Sequence, residues 1–297
     1  MSFTRREVYP PEHPVLVIAL EGWIDPGFAA QNALDVLLTQ IPTRTFAVFN
    51  GDDLIDHRAR RPRTRIRSGV RGRVLYSAPR LRVGVDLLGR GIALLVGPEP
   101  DYQWKSFADE VAGLAIELGS PLVVGLGAFP APVPHTRPVT LSSTASSAEL
   151  AERVGFREGA IDVPAGIADV IGKVCSERGI PSIGIWARVP HYVGAMPYAP
   201  ATLALVEGLG ALSDLVFDLA ELREKASRAT AEIDALIAQS DDHTEMVRQL
   251  EEQYEAGIDE FEGDSDDDDE PLEDADLPTG EELIEELERY LRGESDE

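Results

Sequence analysis

The sequence predicts a three-layer α/β/α sandwich built on a mostly parallel, mixed sheet, followed by a C-terminal helical extension. Three observations point there. Short apolar runs alternate with longer amphipathic ones over residues 1–214. Several of the short runs are apolar at successive positions rather than at alternate ones, as strands covered on both faces are. Strand–helix alternation of this kind places helices on both sides of one sheet.

Strands are expected at 15–20, 45–49, 81–87, 92–96, 122–126 and 182–189. Helices are expected at 29–41, 104–118, 148–154 and 167–178, with a further helical run from Ala199. Residues 56–77 fit this rhythm poorly and read as an inserted hairpin or a long loop. Cys175 lies on an apolar stripe with Val170, Ile171 and Val174 and is expected in the core.

The pattern changes after residue 214. Leu215, Leu219, Leu222, Ala226, Ala229, Ile233 and Leu236 step by four and three, a heptad seam that needs a partner helix. Asp242 and Glu245 resemble a capping box, and Val247, Leu250 and Tyr254 give a second helix its stripe. Residues 215–262 are therefore expected to form an antiparallel helical hairpin, packed on itself or on a neighbouring subunit. Residues 263–278 are nearly all acidic, broken by Pro271 and Pro278, and lack the apolar area to fold alone. Within 263–297 one short amphipathic helix is expected after that tether. It is started by Thr279 and Glu282, and Leu283, Leu287 and Leu291 form its candidate partner-binding face.

Charge sharpens this division. The formal net charge is −26, yet residues 241–297 hold 26 acidic residues against three arginines, which leaves the first 240 residues near neutrality. A near-neutral body with a polyanionic tail argues against general nucleic-acid binding. One cysteine permits no intrachain disulfide, and no apolar run reaches the length of a membrane helix. The first apolar run is too short for a signal-peptide core and is followed by Glu21. A cytoplasmic protein without membrane association is expected.

Candidate site residues lie in loops after strands. Glu21-Gly22-Trp23-Ile24-Asp25-Pro26-Gly27 follows the first strand, where parallel sheets place ligands. Glu21 and Asp25 are candidates there, and the plainer reading is a turn in which Asp25 caps the next helix. Gly97-Pro98-Glu99-Pro100-Asp101 occupies the equivalent place after another strand. Glu99 is a preorganised carboxylate in a stiff loop, and Asp101 is a candidate cap for the helix containing Trp104. The tripeptide Val-Pro-His recurs at His135 and His191, with Arg137 and Tyr192 as a nearby anion donor and hydroxyl. Their plainer reading is structural. Arg58, Arg60, Arg61, Arg63, Arg65, Arg67, Arg71 and Arg73 concentrate the cations, and suit carboxylate or phosphate recognition, a charged edge strand or binding of the acidic tail. There is no phosphate-binding GxxxxGK[ST] loop, no GxSxG elbow and no metal-ligand spacing, so no cofactor and no metal are expected.

These segments resemble the proteasome assembly chaperone 2 (PAC2) family in its actinobacterial form. The resemblance rests on Glu21-Gly22-Trp23-Ile24-Asp25, Asp56-His57-Arg58-Ala59-Arg60-Arg61-Pro62, Gly97-Pro98-Glu99-Pro100-Asp101 with Trp104, Pro134-His135-Thr136-Arg137-Pro138 and Val189-Pro190-His191-Tyr192. It implies a phosphorylase/hydrolase-like three-layer fold and a homo-oligomer, for which a trimer is one form. It implies much less about activity: eukaryotic members assist assembly of proteasome α-rings, no catalytic residues carry over, and the leading expectation is a non-catalytic assembly or adaptor protein. Archaeal relatives dock through tails ending in a hydrophobic residue, tyrosine and one final residue. Here Tyr290 is internal and Gly293-Glu294-Ser295-Asp296-Glu297 follow, so docking of that kind is not expected. The rival expectation is an enzyme or sensor that joins Asp25, Arg58, Glu99, His135, Arg137 and His191 in one pocket around a nucleotide or another small anion.

Overall fold

The doubly apolar runs become the centre of an eight-stranded mixed sheet in the computed structural model, which describes residues 3–21, 24–153 and 163–256. In chain order the strands are β1 (Phe3–Arg5), β2 (Val15–Glu21), β3 (Arg44–Phe49), β4 (Arg63–Arg67), β5 (Val70–Leu75), β6 (Arg80–Val85), β7 (Gly91–Pro98), β8 (Val123–Ala131), β9 (Leu141–Ala145) and β10 (Ser182–Pro190). The helices are α1 (Ala29–Gln40), α2 (Gly51–Leu54), α3 (Trp104–Leu118), α4 (Ala148–Glu152), α5 (Ile167–Glu177), α6 (Ala199–Ser213), α7 (Ala220–Ile237) and α8 (Asp241–Glu255). The sheet order is β1-β3-β6-β7-β2-β8-β10-β9, and β4 and β5 pair apart from it. The four central strands β7, β2, β8 and β10 run parallel. The flanking pairs β1–β3, β3–β6, β6–β7 and β9–β10 are antiparallel.

Two apolar layers explain why the central strands are apolar at every position. On β2, Val15, Val17 and Ala19 enter the layer shared with α1 and α6, while Leu16 and Ile18 enter the layer shared with α3 and α5. Successive side chains of a strand point to opposite faces, so a strand between two layers has no polar side to show. Each large aliphatic side chain buried in this way contributes about 1.5–3 kcal/mol. Cys175 sits in the α5 layer, fully buried.

The extension after α6 belongs to the same compact unit as the sheet. Leu222 and Ile233 of α7 join the core layer of α1 and α6, so the first partner of the heptad seam is the body itself. Leu236, the last seam position, is 52% exposed. The connecting segment is fastened at two points. Val216 N donates to Asp86 Oδ2 (2.8 Å) in the β6–β7 turn, and Gln40 and Asp218 exchange two hydrogen bonds of 2.7 and 2.8 Å. Helix α8 follows after a short turn, with Val247 and Leu250 buried. Its N-cap is Ser240, whose hydroxyl accepts from His243 N (3.4 Å), so the start lies two residues before the expected Asp242.

Strand β9 is not among the expected strands, whereas an inserted hairpin is one of the two readings of residues 56–77. Strand β9 is polar and small, Leu-Ser-Ser-Thr-Ala, because it is an edge strand paired with β10 alone. Residues 63–75 form the β4–β5 hairpin, exposed along its whole length. No helix among the described residues is long and apolar enough to cross a membrane. The acidic tether 263–278 and the helix of Leu283, Leu287 and Leu291 lie outside the described residues, as do Gly22 and Trp23.

Candidate functional site

The eight candidate residues fall into three places. Glu21, Asp25 and Glu99 surround a cleft of about 240 Å³ at the carboxyl end of the parallel strands. Ile18, Leu126 and Gly127 lie along it, with Ile24, Phe28 and Trp186 at its sides. Trp186 fits because position 127 is glycine: a Cβ there would stand 2.4 Å from the indole ring.

Asp25 and Glu99 both serve helix starts. Asp25 accepts from Ala30 N (2.9 Å) and Gln31 N (3.0 Å), which satisfies orphan N–H groups of α1. Phe28, the formal N-cap of α1, is left-handed and caps nothing through its side chain. Burial pushes the Asp25 carboxyl above the usual range, against the lowering effect of those N–H donors. Gly27 makes the geometry attainable: its φ is +68°, and a Cβ would meet the Tyr198 Cβ at 2.7 Å. Its N–H donates to Gly194 O and its carbonyl accepts from Tyr198 N, so the turn is stitched to the loop after β10.

Glu99 is buried, and its Oε1 accepts from Ile167 N (2.8 Å) at the start of α5. A residue at the end of one strand thereby caps a helix far along the chain. Arg60 Nη1 holds the Glu99 carbonyl at 2.6 Å and reaches Asp101 Oδ1 at 3.0 Å. Asp101 does not cap α3 as expected, because its other oxygen accepts from Asp56 N (2.7 Å). Gln103, left-handed, takes the N-cap position of α3. Arg58 is exposed and lines no part of this cleft; its N–H donates to Asp56 Oδ1 (2.8 Å).

The remaining four candidates meet the helical hairpin. The His135 side chain is 1% exposed. Its Nε2 lies 3.0 Å from Asp234 Oδ1, and its Nδ1 lies 2.7 Å from the Tyr192 hydroxyl. A carboxylate only accepts, so Nε2 bears the proton and Nδ1 accepts from the tyrosine. The same hydroxyl oxygen accepts from His135 N (2.8 Å). Burial pushes the Tyr192 phenol up to about 12, which keeps it a donor. Arg137 spans Glu251 (2.9 Å) and Glu255 (2.6 Å) of α8, and Thr136 donates to Glu251. The hydrogen bond to Glu255 is the first cause that raises the Arg137 pKa. His191 stacks edge-on against Tyr192 (5.4 Å) and borders a groove of about 490 Å³ beside Met246 and Leu250.

Sequence reasoning missed Asp234, Glu251 and Glu255, which look like ordinary polar faces of two helices. It also missed Arg60 as the residue that positions Glu99. Among the described residues no group of His, Cys, Asp and Glu is arranged to hold a metal ion.

The model of the PAC2 family matches residues 19–237. Among solved structures, the Mycobacterium tuberculosis protein Rv2714, of unknown function, is 32% identical with a TM-score of 0.78, covering 86% of this chain and 90% of that one. The Mycobacterium tuberculosis proteasome-assembly chaperone homologue Rv2125 is 35% identical with a TM-score of 0.72, covering 78% of this chain and 99% of that one. A PAC2 family protein from Streptomyces avermitilis is 35% identical with a TM-score of 0.69, covering 79% of this chain and 99% of that one. No curated protein matches the sequence. The match over most of the folded body and these relatives establish that the chain belongs to the PAC2 family.

Proposed function

We propose that this protein is a non-catalytic assembly adaptor of the cytoplasm, a homo-oligomer with a chaperone-like role exercised through protein–protein contacts. The observation that supports it most is the use to which the polar loop residues are put. Asp25 and Glu99 cap α1 and α5, and His135 and Arg137 hold the α7–α8 hairpin to the body. A catalytic set needs a base or nucleophile with an open side toward substrate, and these four are engaged by their own chain. The likeness to a proteasome-assembly chaperone homologue gives the reading its direction. In this reading the trimer presents the hairpins outward, and the helix of Leu283, Leu287 and Leu291 engages the partner.

The test is reconstitution. Separated proteasome α- and β-subunits are mixed with and without this protein, and assembly is followed by native mass spectrometry. A complex with α-subunits on the way to faster particle formation is the expected result. No complex, together with a stoichiometric small molecule released from the purified native protein, overturns the reading.

The rival is an enzyme or sensor at the cleft, and one observation favours it: the cleft stands where parallel sheets bind ligands. Its electrostatics oppose the anion first expected there, since Glu21, Asp25 and Glu99 line it while Arg58 and Arg137 stand elsewhere. The small-molecule arm of the same experiment decides it.

A further inference from the structure

We propose, independently of the adaptor role, that the β4–β5 hairpin is a docking arm for an acidic, leucine-bearing segment of a partner polypeptide. Every residue of β4 and β5 is exposed. The arm is nevertheless rooted: His57 packs edge-on against Tyr76 (5.1 Å) at its base, and the preceding loop is held by Arg60. A two-stranded ribbon with both faces in water is marginal by itself. Its surface chemistry indicates what covers it.

Arg67 pairs across the ladder with Val70, Ile66 with Arg71, Thr64 with Val74 and Arg63 with Leu75. Residues directly opposed share a face, so each face mixes guanidinium and aliphatic groups. Val70 is 70% and Ile66 61% exposed. Arg65, Arg67, Arg71 and Arg73 border a groove of about 530 Å³ together with Val70 and Leu75. Among the described residues, none of Arg63, Arg65, Arg67, Arg71 and Arg73 makes a side-chain hydrogen bond or ion pair. Unpaired guanidinium forks match carboxylates in pairs. Arg71 and Arg73 lie two positions apart on β5, where the ladder shifts register.

The interleaved aliphatics separate a polypeptide from a nucleic acid. Val70 and Leu75, which line the groove, need apolar partners, which leucines supply and a phosphate backbone does not.

The probe is a fluorescein-labelled peptide with the sequence of residues 263–278, acidic with two leucines. It is titrated at low salt into the full-length chain whose own acids at 264–276 are converted to amides, so that they do not compete. Saturable binding is expected, weakened at least about tenfold when Arg65, Arg67, Arg71 and Arg73 are all changed to Ser. The same four positions as Lys should recover only part of it, because an ammonium lacks the bidentate fork. V70S, with every charge kept, should weaken it about threefold. Circular dichroism checks that each variant stays folded. Undiminished binding by the fourfold Ser variant, full recovery by Lys, no effect of V70S, or tighter binding of a duplex DNA of equal charge overturns the proposal.

Discussion

His135 Nε2 donates to Asp234 Oδ1 across 3.0 Å, joining the loop after β8 to the C-terminal third of α7. The imidazole is buried, while the Asp234 side chain is 56% exposed. The pair is one of few polar links that hold the hairpin down.

Asp234→Ala should therefore loosen the hairpin and leave the sheet intact. An unpartnered buried N–H costs about 1–3 kcal/mol, with the lower end expected where water can reach the vacated position. Hydrogen exchange checks this: amides at the end of α7 and along α8 should exchange several-fold faster, with those of β2 and β8 unchanged. Arg137→Ala should act in the same direction and non-additively, since Glu251 and Glu255 belong to the same hairpin. Salt should weaken the Arg137 contribution more than the His135 one, because that ion pair is half-exposed. Uniform exchange across the chain in both variants would remove the hairpin-clasp account.

Glu99→Ala should destabilise the protein by about 0.5–2 kcal/mol, the usual cost of a lost N-cap. The loss should be local to α5, whose Ile167 N–H then has no acceptor. Glu99→Gln retains an acceptor oxygen and should recover most of that stability in thermal unfolding. A catalytic or ligand-binding Glu99 would behave differently, with the Gln variant as impaired as the Ala variant in any ligand or activity assay. Equal stability of wild type and Glu99→Ala would show that the cap contributes nothing.

How far the sequence reveals this molecule depends on the range of the forces involved. The run 15–20 shows its strand because burial on both faces writes itself into consecutive residues, and α3 follows from helical spacing. Strand β9 leaves almost no trace, since an edge strand under light cover selects no apolar pattern. The heptad seam at 215–236 announces a partner helix without saying which, and the body supplies it through Leu222 and Ile233. The loops with Asp25, Glu99 and His135 are visible as unusual sequence. Their roles are not, because the partners Ala30, Ile167 and Asp234 are brought in by the fold; Asp234 is 99 positions from His135.

Asp86 should make part of the stability acid-sensitive. It is buried at the β6–β7 turn. Burial alone would raise its carboxyl, but the N–H donors of Arg90, Val216 and Leu88, with the Arg90 charge, hold it below the usual range. A depressed folded pKa gives stability that is complete above the unfolded value near 4 and is lost as pH falls through the lower folded value. Urea midpoints measured from pH 6 downward should fall below about pH 4 in wild type and fall less steeply in Asp86→Asn. Parallel curves for the two proteins would assign the acid sensitivity to other groups.

Cys175 gives the opposite window. Burial pushes its thiol from 9.0 up to about 11, with a small opposing effect from the charge of Arg178. The unfolded chain ionises first, so stability should fall as pH rises from 9 toward about 11, by up to roughly 3 kcal/mol at about 1.4 kcal/mol per pH unit. Cys175→Ala loses a buried sulfur and starts lower, yet its stability should be flatter over that interval. The thiol should also react with Ellman's reagent at neutral pH only as fast as α5 opens, and urea should accelerate the reaction steeply. A fast native-state reaction would mean that α5 opens readily from the sheet, and it would place Cys175 outside the packed layer of Ile171 and Phe107.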